Sequence, residues 1–145
     1  MKKLCALTLT LFSVGCGVST NTSLVDPSIH LARLCPDGVK LYTAPDRVTT
    51  EYREVALLNA SGETRYSDEG DLINSMRKAA AKAGANGIIL NGIDEPNAAT
   101  KVAAEVSNVI TRDAMPISPE RKGRALAIFV PADSATAAAV CARKK

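Results

Sequence analysis

DEGDLINSMRKAAAKAGANGIILN, residues 68–91, contains one change of hydrophobic period, and that change sets the fold. Leu72, Ile73, Met76, Ala79, Ala80 and Ala83 recur at helical spacing, with Asn74, Arg77, Lys78 and Lys82 opposite them, so residues 69–83 predict an amphipathic helix. Ser67 or Asp68 is placed to cap its start, and Glu69 and Asp71 suit the positive end of the helix dipole. Gly84 follows the last turn, where a residue of positive φ closes a helix at least cost. Asn86 is expected to spend its side chain within the same turn. The apolar run Gly87–Asn91 then reads as a strand.

Upstream, Tyr52–Ala60 reads as a strand centred on Val55-Ala56-Leu57-Leu58 and stopped by Ser61-Gly62. Strand, helix and strand make a βαβ unit whose two strands run parallel. Before it, Val39–Thr43 alternates as a half-buried strand. The turn Pro36-Asp37-Gly38 precedes that strand and Ala44-Pro45-Asp46-Arg47 ends it. Residues 28–34 could form one helical turn. Downstream, Val102, Val106, Val109 and Ile110 predict a second helix over 97–111, followed by a charged, proline-containing loop to Gly123. Arg124–Val130 alternates as the last strand, Pro131 ends it, and Asp133 can cap a final helix from Ser134 to about Arg143. The expected fold is α+β: a mixed four-stranded sheet with a βαβ unit, one main helix on one face, and a flexible N-terminal tether. Residues 35–145 form its single domain.

The N-terminus has its own logic. Lys2 and Lys3 precede a short apolar run, residues 4–14, too short for a spanning helix of roughly 20 residues and suited to a cleavable signal. The run ends Ser13-Val14-Gly15-Cys16, which resembles the lipobox of bacterial lipoproteins. Small residues at Val14 and Gly15 give a peptidase access to the bond, and the Cys16 thiol can accept a diacylglyceryl group. Residues 1–15 are therefore expected to be a lipoprotein signal peptide, with Cys16 the lipidation site and residues 16–34 a lipidated tether. The competing expectation is an ordinary secretory signal with an incidental cysteine. The lipobox family usually has Leu where Ser13 stands. Gly17 rather than Asp follows Cys16, which by the same resemblance favours the outer membrane, facing the periplasm, over the inner one.

Without Lys2 and Lys3 the chain keeps sixteen basic residues against fifteen acidic ones. That balance argues against nucleic acid as a partner, because phosphate binding needs a clustered basic surface. Of four cysteines, Cys5 lies in the signal and Cys16 carries the lipid, leaving Cys35 and Cys141. In an exported chain this even remainder predicts one disulfide, although two reactive thiols are the alternative.

Three stretches carry a family resemblance: Tyr52-Arg53-Glu54-Val55-Ala56-Leu57, the helix end Met76 through Ile89, and Arg121 through Ile128. Together they resemble small bacterial envelope lipoproteins of uncharacterised function, distantly similar to the Rcs-phosphorelay sensor lipoprotein and to YbjQ-type domains. The sharpest element is AAxxGAN at residues 80–86, a signature of fold rather than of catalysis. The Rcs sensor has two disulfides in its domain where this chain has cysteines for one. The heavy-metal label sometimes attached to YbjQ-type domains is not carried over, since the chain has no CxxC and a single histidine.

No catalytic constellation stands out. His30 falls in the tether region without spaced partners. Asp68, Glu69 and Asp71 suit a helix start better than a calcium site. Asp94-Glu95-Pro96 reads as a turn, Ser61-Gly62 lacks the surroundings of a nucleophile elbow, and Gly84 and Gly87 close a helix rather than cradle phosphate. The expectation is a non-enzymatic, lipid-anchored envelope protein, without cofactor or metal, that binds or signals to an envelope partner. The alternative is an envelope enzyme with an unrecognised site.

Overall fold

The residues described by this computed structural model are 17–112 and 116–143. They hold a five-stranded mixed sheet and three helices. The strands are β1 (Ser19–Leu24), β2 (Lys40–Tyr42), β3 (Arg53–Glu63), β4 (Gly87–Asp94) and β5 (Glu120–Phe129). The helices are α1 (Glu69–Lys82), α2 (Ala98–Ile110) and α3 (Ser134–Ala142), in the chain order β1-β2-β3-α1-β4-α2-β5-α3.

Across the sheet the order is β1-β3-β5-β4-β2. β5 is antiparallel to both β3 and β4 and lies between them, so β3 and β4 run parallel but are not neighbours. The βαβ unit is therefore a split one. β2 adds to β4 in parallel at one edge, and β1 adds to β3 antiparallel at the other.

α1 begins as its sequence dictates. Asp68 caps it by accepting from the Asp71 backbone N–H, and the Asp71 carboxylate accepts from the Asp68 N–H in return. The helix ends in a Schellman motif: Ala85 N–H donates to the Ala80 carbonyl, Gly84 N–H to that of Ala81, and Gly84 sits at φ +82°. Leu72, Met76, Ala80 and Ala81 pack on Ala56, Leu58, Ala60, Ile88, Ala125 and Ala127. The alanines of the sheet let the helix approach closely, so a chain poor in aromatics still closes its core. The opposite face is smaller: Ile89, Ile128 and Val130 are covered by Tyr42, Val48, Tyr52 and Leu126.

Several expectations need correction. The sheet has five strands, and residues 19–24 within the supposed flexible tether form the edge strand β1. Their Ser, Thr and Asn side chains give no apolar face, so the strand is held by its backbone ladder to β3 and by hydroxyl pairs such as Thr20 with Ser75 (2.7 Å). Ser61-Gly62 does not stop β3, because Ser61 and Gly62 pair with Lys122 and Arg121. β5 consequently starts at Glu120, inside the expected loop. Residues 28–34 form no helix. Asp133 makes no side-chain capping bond to α3.

Asn86 also departs from expectation, and the departure matters for stability. Its side chain leaves the helix-to-strand turn and clamps the end of β5. The amide donates to the Val130 carbonyl (2.8 Å) and its oxygen accepts from the Val130 N–H (2.7 Å). The Asn86 backbone donates to the Ile128 carbonyl and accepts from Lys40, so one residue ties β2, β4 and β5 together.

Candidate functional site

The two ends of the sheet carry different chemistry. At one end β2 and β4 begin and β5 finishes, and there Cys35 and Cys141 form a disulfide with Cα atoms 5.5 Å apart. The bond joins the 3-10 turn Pro36–Gly38 to α3. Gly38 makes the contact possible: a Cβ there would stand 3.0 Å from both the Ala137 carbonyl and Cys141 Sγ. The reactive-thiol alternative for this pair is thereby set aside.

Beside the disulfide lies a cluster that the sequence did not reveal. Lys40 Nζ is 2.9 Å from Asp133 Oδ2, and the Tyr42 hydroxyl donates to the same oxygen at 3.1 Å. The bond from Lys40 holds the Asp133 carboxyl below its ordinary range, and Asp133 in turn raises the Lys40 ammonium. Burial, and then the bond to Asp133, pushes the Tyr42 phenol upward. A charge pair reinforced by a phenol can dock α3 on β2. Nothing in its sequence spacing marks it, because about ninety residues separate the partners.

At the other end, β3 and β4 finish and β5 begins, and α2 leaves the sheet. Asn97 caps α2 by accepting from Thr100 N–H. Asn108 fixes the far end with two bonds to the backbone of Ile117, one accepted at 2.6 Å and one donated at 3.0 Å. At the root of the helix, Arg121 pairs with Glu95 and donates to the Ser67 carbonyl, while Arg124 pairs with Asp94 at 3.0 Å. The Arg121 bond lowers the Glu95 carboxyl below its usual range. Between α2 and the end of β3 runs an open groove of about 460 Å³ lined by Thr64, Arg65, Lys101, Ala104, Asn108 and Arg121 among others.

Of the residues of α2 only Ala104 is buried. The predicted apolar stripe exists, but it faces outward: Val109 and Ile110 are 74% and 75% exposed, and Val102 and Val106 are more than half exposed. Its helical spacing was legible; its orientation was not, since spacing alone does not say what a stripe packs against.

Cys16 and the expected signal, residues 1–15, lie outside the described residues. His30 is exposed and pairs with the Ser28 carbonyl. Asp68 and Asp71 are used in the helix cap, and Asp94 and Glu95 in ion pairs with arginines. Among the described residues no three His, Cys, Asp or Glu side chains converge as metal ligands, and no helix is long and apolar enough to cross a membrane.

Together these features define a small α+β domain with a split βαβ sheet, stapled at one end and bearing an apolar helix at the other. The sequence matches no family model and no curated protein. Among solved structures, the fold is similar to the crystal structure of a Francisella virulence factor, FvfA, with a TM-score of 0.50 and 16% identity. The similarity covers 77% of this chain and 97% of that one. At this identity the likeness is one of fold alone.

Proposed function

We propose that this chain is a bacterial envelope lipoprotein, processed before Cys16 and anchored by fatty-acyl chains on that cysteine, that acts by binding a partner rather than by catalysis. The observation carrying this proposal is the sequence Ser13-Val14-Gly15-Cys16 after a charged start and a short apolar run. The Cys35–Cys141 disulfide supports export, since such bonds persist in oxidising compartments. Relationship to the small envelope lipoproteins and YbjQ-type domains belongs to the same proposal, as does residence in the outer membrane. The outward apolar stripe of α2 favours a role in surface contact, with a membrane or a protein, over chemistry.

The anchor would be short. β1 starts at Ser19, three residues after Cys16, a span of at most about 10 Å. The domain would therefore sit against the bilayer instead of swinging on a long tether. Fractionation tests the proposal: the wild-type protein is expected in membranes and Cys16→Ser in the soluble fraction. Equal membrane retention of the two would refute the anchor.

A further inference from the structure

Six of the large apolar side chains left exposed gather at one end of the sheet: Tyr66, Val102, Val106, Val109, Ile110 and Ile117. The same end receives the N-terminus. Ser19 pairs with Ser61, Ser61 with Lys122, and Lys122 with Asp94, so these four residues form one row across β1, β3, β5 and β4. Three strand spacings, about 15 Å, separate Ser19 from Asp94, and α2 starts four residues beyond Asp94. An acyl group on Cys16 would thus leave the domain beside the exposed stripe of α2.

We propose that α2 is a membrane-contacting helix whose valine and isoleucine stripe lies in the headgroup boundary of the bilayer that holds Cys16. This rests on the lipid-anchor proposal above. Three further observations select phospholipid as the occupant. α2 spans about 20 Å along its axis, a length suited to lying in the interface and too short to cross it. Exposed Arg112 stands just beyond its last turn and can meet an anionic headgroup, Glu105 at the margin of the stripe keeps to the headgroup water, and Tyr66 offers the amphipathic ring found at that depth. Within α2 the stripe itself is valine and isoleucine only, aliphatic side chains that can enter the acyl boundary with no polar group to satisfy. Contact through α2 together with the acyl chains would fix the orientation of the domain and direct the opposite end, with the disulfide and α3, away from the membrane.

The chain contains no tryptophan, which makes a clean experiment possible. Val109→Trp places a probe on the stripe, and Ala138→Trp places one on the exposed side of α3 at the opposite end. Each acylated full chain is reconstituted in phosphatidylethanolamine and phosphatidylglycerol vesicles, with and without brominated acyl chains. The expected result is blue-shifted emission from Val109→Trp and quenching at least about twofold stronger than for Ala138→Trp. Equal quenching in protein that sediments with the vesicles would overturn the docking of α2 and leave the anchor standing. A blue shift that persists without vesicles and is insensitive to bromine would mean a second copy covers the stripe, and would also overturn it. Absence of acyl mass on the purified chain would remove the anchor and this inference together.

Discussion

Replacing Asn86 should expose how much of the fold depends on one buried amide. The side chain is 1% exposed and bonds both the N–H and the carbonyl of Val130, itself 1% exposed. The Val130 carbonyl also accepts from Asp133 N–H, so in Asn86→Ala that oxygen keeps a partner while the Val130 N–H loses its own. One orphaned buried donor, one lost neutral bond and a small cavity amount to about 2–4 kcal/mol. Asn86→Asp adds a pH signature. Its first oxygen can still accept from Val130, but its second faces a carbonyl and can bond there only as a protonated acid. Burial would raise that carboxyl above its unfolded value of about 3.9, so the penalty should be full above the folded pKa and shrink as pH falls through it. Urea unfolding with the disulfide intact, followed by circular dichroism across pH, reads both effects. A cost below about 1 kcal/mol for Asn86→Ala, or an Asn86→Asp curve parallel to wild type, would refute the clamp.

Gly84→Val combines a left-handed φ with a Cβ driven against Leu31 and to 3.0 Å from the Ala32 carbonyl. It should cost about 2–5 kcal/mol, whereas Gly84→Asn should recover only the backbone part; thermal melts that rank the two equally would count against this. Converting Cys35 and Cys141 to Ser opens a 106-residue separation and should remove about 3–5 kcal/mol, seen as a lower denaturation midpoint; an unchanged midpoint would contradict the staple. The Asp133 carboxyl is depressed by Lys40, so its contribution is present above its unfolded pKa and is lost as pH falls through the lower folded one. Acid titration of stability should therefore show a shallower decline in Asp133→Asn than in wild type.

What was legible in the sequence was local. The amphipathic period of α1, the Asp68 cap and the turn at Gly84 each depend on residues a few positions apart, and the structure places all three as expected. The parallel relation of β3 and β4 was legible too, but the insertion of β5 between them is a long-range choice that period and turn residues do not encode. β1 escaped notice because a polar edge strand leaves no hydrophobic alternation. Ser61-Gly62 resembled a breaker because the ladder that holds it in β3 comes from residues about sixty positions away. Asn86 pairs across 44 residues and Lys40 across 93, so their chemistry is invisible to any local window. The disulfide was the exception, since setting aside Cys5 and Cys16 leaves one pair of cysteines. For the α2 end, the apolar spacing was plain while its outward orientation had to come from the fold.

One mass spectrum tests the lipidation proposed for Cys16 most directly. The full chain, expressed in a Gram-negative host and extracted from membranes, should begin at Cys16 and carry the added mass of a diacylglyceryl group with its fatty acids. A mature chain that begins elsewhere, or begins at Cys16 with a free thiol and no acyl mass, would contradict the account.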